Sequence, residues 1–141
     1  MSDAIHPAIQ ANMNSIKYVM AKDREAWLAL YRDDAVVADP VGKSPFDPEG
    51  KGHVGKEAIA AFYDNVIANS NAVITAGERR SSGDHWCAVP MMAVSEIVEG
   101  KSTTVDMICI YEVDDDGLIV SMKAYWAWSE MERQLKELGF A

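Results

Sequence analysis

Apolar residues in the first part of the chain recur at helical spacing. Ile9, Met13, Ile16 and Met20 fall three or four apart, which predicts an amphipathic helix over Pro7 to Ala21. Asp23 is placed to N-cap a second helix, because its carboxylate can accept from the orphan amides of the following turn. Trp27, Leu30 and Tyr31 form the apolar stripe of that helix. Asp33 and Asp34, at its C-terminal end, oppose the helix dipole and help stop it. Ala35 to Asp39 reads as a short strand. Pro40 to His53 is rich in Pro, Gly, Asp and Lys without periodicity, and predicts a long loop of the kind that forms a lid or rim. Gly55-Lys-Glu then opens a third helix whose face is Ile59, Phe62, Tyr63, Val66 and Ile67, ended by Asn69-Ser-Asn.

After this the pattern changes to strands, predicted over Val73 to Glu78, His85 to Ile97, Ser102 to Val113 and Leu118 to Trp128. Glu99-Gly100 and Asp114 to Gly117 are turn signals between neighbours, implying antiparallel hairpins. Ser129 to Leu138 predicts a last short helix. No repeat or linker divides the sequence, so residues 1–141 are expected to form one domain. Helices first and strands later indicate an α+β fold. The expected form is a curved antiparallel sheet of four or five strands, wrapped by three N-terminal helices into a cone with an apolar, ligand-sized interior.

Strand alternation sorts the side chains that could line such an interior. Val105, Met107, Cys109 and Tyr111 share one face, and Asp106, Ile108, Ile110 and Glu112 the other. Val120, Met122, Ala124, Trp126 and Trp128 share a face opposite Lys123 and Tyr125. The uncharged, Met- and Trp-rich sets are the natural inward ones. They suit a flat apolar ligand and equally an ordinary packed core.

Charge and cysteine content narrow the classes. Thirteen basic against twenty-two acidic residues give a formal net charge of −9, which argues against nucleic acid and anionic membranes as partners. No stretch reaches the ~18 to 20 apolar residues of a spanning helix. Met1 to Gln10 has neither the basic start nor the apolar core of a signal peptide. Two cysteines, Cys87 and Cys109, make no disulfide framework, so a cytoplasmic protein with free thiols is expected. His85 and Cys87 share a strand face, but no further ligands are spaced to complete a metal site, and no cofactor is expected. His53, in the Gly-rich loop, reads as solvated.

Asp39 is the residue most open to a chemical role. A carboxylate before a proline is a common turn device, yet one delivered by a β-branched run into apolar surroundings is also a candidate base. Ala29 to Gly42, Ala58 to Tyr63 and Val120 to Trp126 resemble the bacterial Δ5-3-ketosteroid isomerases, within the cone-shaped nuclear transport factor 2-like superfamily and its SnoaL-like branches. The resemblance spans about residues 9 to 128 and implies a cofactor-free proton transfer on a flat hydrophobic carbonyl compound. Asp39 then takes the general base's position, Tyr31 and Tyr63 match supporting tyrosines, and Trp126 a pocket tryptophan. It also implies a homodimer.

The same resemblance exposes departures. Ser15 stands where the family has its oxyanion-hole tyrosine, and Cys109 where it has a protonated aspartate. A hydroxyl on a short side chain and a thiol are weaker donors, and losing one such donor typically slows catalysis by on the order of 10²-fold to 10³-fold. Tyr18, one turn beyond Ser15, is a possible substitute, and Phe46 to Val54 is an insertion that would reshape the cavity mouth. The candidate ligand-contacting set is therefore Ser15, Tyr18, Tyr31, Tyr63, Met107, Cys109 and Trp126. The alternatives are a non-catalytic binding protein for a small hydrophobic ligand, and a dimeric interaction module using Asp106, Ile108, Ile110 and Tyr125 on the outer face.

Overall fold

The computed structural model describes residues 4–140; residues 1–3 and 141 of the single expected domain lie outside the described residues. Helix α1 (Pro7–Ala21) starts where the sequence predicts. His6 Nδ1 accepts from the Ala8 amide at 3.1 Å, and Pro7 occupies the first turn, where its missing N–H costs nothing. Lys22 ends the helix in the left-handed region at φ 56°, returning its amide to the last carbonyls.

The buried face of α1 differs from the expected one. It is Ala8, Ala11, Asn12 and Ser15, while Met13 and Met20 are exposed. The small residues let the helix lie close to the sheet, and they bring two polar side chains into the interior.

Helix α2 (Arg24–Leu28) is capped by Asp23, whose carboxylate accepts from Ala26 N at 3.1 Å. It is shorter than expected. Tyr31 belongs to strand β1 (Tyr31–Ala38), and Asp33 and Asp34 lie exposed within that strand rather than closing a helix. The reason is tertiary. β1 pairs in parallel with β7 (Ile119–Tyr125), with Tyr31 opposite Ile119, and Ile119 N donates to Leu30 O at 2.8 Å.

His53 is also displaced from its predicted place in a solvated loop. It lies in β2 (His53–Val54), opposite Val37 of β1, half-buried with its ring centroid 4.7 Å from that of Phe62. Helix α3 (Lys56–Phe62) follows and runs into a π-helical turn, Tyr63–Ile67.

The sheet has seven strands rather than four or five. Strands β3 (Val73–Ala76) and β4 (Arg80–Ser82) both pair with β5 (Trp86–Val98), and β5 pairs with β6 (Lys101–Val113), giving the order β2-β1-β7-β6-β5-β3. All pairings are antiparallel except β1 with β7. Irregularities at Glu96/Val98, Glu112/Val113 and Tyr31/Val36 interrupt the ladders. Such breaks increase local bend and twist, and the sheet is open and curved, an α+β cone of the expected class.

The final helix, α4 (Trp128–Glu137), takes Trp128 out of the last strand. It covers the part of β6 that β7 does not reach, since β7 pairs only from Ile108 onward. Gln134 there stands in for a strand neighbour: Nε2 donates to Thr104 O and Oε1 accepts from Thr104 N, both at 2.7 Å.

Trp27, Tyr31, Val37, Ile59, Val89, Val113 and Ile119 form the fully buried centre. The strand parity is as predicted for Cys109, Tyr111, Met122 and Ala124, which face in, and for Asp106, Ile108, Ile110, Lys123 and Tyr125, which face out. At the start of β7 the ladder irregularity buries Ile119 in place of the expected Val120. Among the described residues no helix is long and apolar enough to cross a membrane.

Ile119→Ala, at the parallel β1–β7 seam, should cost about 2 to 5 kcal/mol in a urea titration. Val54→Ala, at a site 61% exposed, should stay within about 0.5 kcal/mol of the parent.

Candidate active site

The space between helices and sheet is a cavity of about 340 Å³. Its walls are largely apolar and come from α1, α3, the concave sides of β5, β6 and β7, and α4. Among the residues singled out from sequence, Ser15, Asp39, Met107, Cys109 and Trp126 line it. Phe46, from the long loop, reaches it too, and packs edge-on against Trp128 with ring centroids 5.6 Å apart. A larger, polar groove of about 630 Å³ runs between α4 and β6, walled by Glu130, Arg133 and Glu137. Of the expected site residues it contains only Trp126.

Three expected members stand elsewhere. Tyr31 and Tyr63 stack on Trp27, at 4.8 and 5.4 Å between centroids, and support the wall from behind. Their positions follow from Tyr31 being a strand residue and Tyr63 opening the π turn. Tyr18 is half-buried on α1 outside the cavity lining, because a helix position three beyond Ser15 is rotated about 60° from it.

Asp39 follows the end of β1, where the strand gives way to the cis Asp39–Pro40 peptide. Trp126, just beyond β7, donates its indole N–H to Asp39 Oδ1 at 2.7 Å. Oδ2 makes no hydrogen bond to any described residue. Asp39 retains some accessible surface because it borders the cavity, but it lies deep in the molecule. Desolvation raises its carboxyl above the ordinary value, and the Trp126 hydrogen bond and His53 act against that rise. Burial keeps His53 itself below the usual histidine range.

Cys109 faces Asp39 across the cavity wall. Desolvation, reinforced by the Asp39 charge, pushes its thiol up to about 12, so it stays protonated at neutral pH. Ser15 Oγ accepts from Trp27 Nε1 at 3.2 Å.

Tyr111, sorted inward by strand parity but outside the candidate ligand-contacting set, belongs to this wall, and Asn12 lies buried near it. Tyr111 is 2% exposed, lines the cavity and lies two residues beyond Cys109 on the same strand face. Asn12, fully buried, sits one turn before Ser15. Its Oδ1 accepts from Arg79 Nε at 2.7 Å, and its Nδ2 faces Met91 Sδ at 3.5 Å. Strand parity contained the signal for Tyr111, and a polar residue four after Ala8, on the same helix face, was the only signal for Asn12.

The arrangement can perform acid–base chemistry on a mostly apolar guest. One carboxylate oxygen is anchored, the other is free, and the surrounding cavity wall is largely apolar. Among the described residues no group of three or more His, Cys, Asp or Glu side chains is placed to hold a metal ion.

Residues 14–122 match the SnoaL-like domain family. Rv0760c from Mycobacterium tuberculosis is 38% identical, with 92% of this chain and 97% of that one covered at a TM-score of 0.85. The same protein has been solved in complex with estradiol-17beta-hemisuccinate; that structure is 39% identical over 89% of this chain and 98% of its own, at a TM-score of 0.83. A Delta 5-3-ketosteroid isomerase from Mycobacterium sp. is 37% identical over 89% of this chain and 97% of its own, at a TM-score of 0.82. A computationally designed 17-OHP binder is 36% identical over 90% and 95%, also at 0.82.

The raised Asp39 carboxyl has a thermodynamic consequence. A folded-state value above the unfolded one favours the protonated form, so its stabilising effect is complete below the ordinary carboxyl pKa of about 3.9 and fades as pH rises through the folded value. Asp39→Asn keeps an acceptor for Trp126 and removes the charge. Its unfolding midpoint should exceed that of wild type at pH 7, and the gap should close on titration to about pH 4.

Proposed function

The chain belongs to the SnoaL-like domain family, of the nuclear transport factor 2-like superfamily, and we propose that it acts on a flat, hydrophobic, carbonyl-bearing molecule of steroid type. The reaction is a cofactor-free shift of a proton, with Asp39 as the base. The observation that carries this reading is Asp39 at the wall of an apolar cavity, with Oδ1 held by Trp126 at 2.7 Å and Oδ2 free. A base must reach the proton it removes, and desolvation brings its basicity toward the working pH.

For a β,γ-unsaturated ketone the steps balance without a further reactant. Asp39 takes a proton from the carbon between the carbonyl and the double bond. The C–H electron pair moves into the carbonyl, forming a dienolate. The protonated carboxyl then returns the same proton to the γ-carbon, leaving the conjugated ketone and a carboxylate. Trp126 holds the carboxyl at the cavity wall through both transfers, and Met107, Met122, Met91 and Trp128 provide apolar surface for the rings.

Support for a steroid-like guest comes from the relatives. A protein 39% identical has been crystallised with estradiol-17beta-hemisuccinate, one 37% identical is a Delta 5-3-ketosteroid isomerase, and one 36% identical is a designed 17-OHP binder. The alternative is retention of the ligand without turnover. It is favoured by Ser15 and Cys109, a short hydroxyl and a protonated thiol, at the cavity wall. Homodimerisation is proposed through the outer sheet face, where Ile108, Ile110 and Tyr125 are exposed. Sedimentation equilibrium of wild type and Ile108→Glu tests it, a dimer dissociated by the substitution being the expected result.

The enzyme reading is checked by incubating the protein with a Δ5-3-ketosteroid and following the conjugated enone in the ultraviolet. Wild type should turn over, and Asp39→Asn should be slower by about 10²-fold to 10⁴-fold. Equal inactivity of both, with tight steroid binding by calorimetry, would move the assignment to the binding protein.

A further inference from the structure

The Tyr111 hydroxyl is the strongest neutral hydrogen-bond donor on the cavity wall, and no protein atom among the described residues receives its proton in a hydrogen bond of normal geometry. Its surroundings are arranged as donors. Asn12 cannot present its carbonyl freely, because Oδ1 already accepts from Arg79 Nε at 2.7 Å. The amide NH₂ is thereby turned inward, toward Met91 and the phenol. Ser15 is set in the same sense: its oxygen accepts from Trp27 Nε1, which leaves its own proton to give. Asn12 and Ser15 both favour negative charge on the Tyr111 oxygen, as donors facing it do. Tyr31 Oη, behind this wall, is buried and has no hydrogen-bond partner, with the Ser15 hydroxyl beside it. The Tyr31 hydroxyl is thus left without a partner among the described residues, and a buried donor left unmade is costly.

We propose that Tyr111 is the residue that receives an acceptor oxygen of the ligand, a carbonyl or a phenol, with Ser15 beside it and with Asn12 and Arg79 as positioning residues behind it. This rests on the reading of the cavity as a site for a steroid-like molecule. It replaces the two strong donors missing at Ser15 and Cys109 with one that lies a strand repeat further along β6. The phenol of Tyr111 is held protonated by desolvation, with the Asp39 charge acting the same way. It therefore donates over the whole neutral range.

Asp39 and Tyr111 line the same cavity, so one bound guest borders both. In the proton shift, the dienolate oxygen is where negative charge develops, and donors aimed at that atom lower the barrier. Arg79 Nε donates to Asn12 Oδ1 at 2.7 Å, which polarises the Asn12 amide and strengthens its NH₂ as a donor. Selectivity follows: the cavity favours flat apolar molecules with an oxygen on the terminal ring over otherwise identical molecules without it.

Two probes separate this proposal from the reading it rests on. Estradiol-17beta-hemisuccinate carries a terminal-ring phenol, and its 3-deoxy analogue lacks only that oxygen. Dissociation constants are measured by calorimetry for wild type, Tyr111→Phe and Asn12→Ala, with thermal melts confirming that each variant folds. Tyr111→Phe should weaken the phenolic probe by about tenfold and the deoxy analogue by less than about twofold. Asn12→Ala should give a smaller loss with the same discrimination, which a purely structural defect would not produce. If wild type binds neither probe, the steroid-like reading fails and this assignment with it. If wild type binds both, and Tyr111→Phe changes them equally or not at all, the assignment of Tyr111 fails while the steroid-like reading stands.

Discussion

The hydrogen bond from Trp126 Nε1 to Asp39 Oδ1 permits a carboxylate to remain at the wall of an apolar cavity. Desolvation alone favours the neutral acid, and an unpaired buried charge would be tolerated only by protonation. A single charge-assisted donor on one oxygen lowers that penalty without supplying a counter-ion, and so leaves the group basic. An arginine in the same place would lower the carboxyl's pKa and remove its usefulness as a base. The indole is also flat and apolar, so the group that steadies the acid is itself part of the ligand-contacting surface.

The rest of the fold brings these two residues together. Asp39 follows β1 and Trp126 follows β7, and the two strands run parallel with Ala38 opposite Lys123. Their chain ends therefore arrive on the same side of the sheet. The Val41 amide bonds to Ala124 O at 2.8 Å and fixes the turn after Asp39 against the strand that leads to Trp126. Beyond that point α4 and Phe46 close the cavity, anchored by Gln134 on the edge of β6 that β7 leaves unpaired. One backbone rule explains both features, because every sheet edge near an apolar cavity must be paired or covered.

Much of this was legible in the residues. Period two along β6 and β7 sorts inward from outward side chains, and a carboxylate delivered by a β-branched run just before Pro40 marks Asp39 without reference to the strand partner of β1. What escaped has nonlocal causes. Tyr31 lies four residues after Trp27 and so continues a helical stripe; only its pairing with Ile119, far along the chain, makes it a strand residue. β4 is Arg80–Ser82, wholly polar and exposed, and so carries no alternation to detect. On α1 the stripe of Ile9, Met13, Ile16 and Met20 marked the helix. Ile9 and Ile16 do pack against the core, but Met13 and Met20 are exposed and the most deeply buried residues lie beside the stripe. Close approach to the sheet selected Ala8, Ala11, Asn12 and Ser15, whose small size matters more than their hydropathy.

That last difference bears directly on the chemistry. The helix lies close to the sheet where it buries Ala8, Ala11 and Asn12, and the cavity opens beside the following turn, at Ser15, Ile16 and Val19. Asn12 and Ser15 enter the interior because they are short. Ser15 brings only a short hydroxyl to the helix side of the cavity, and Tyr111 brings a long phenol to it from β6. A short side chain on one wall leaves volume that a long one on another wall can fill. The interior volume constrains the sum of side chains, and not which wall supplies the hydroxyl.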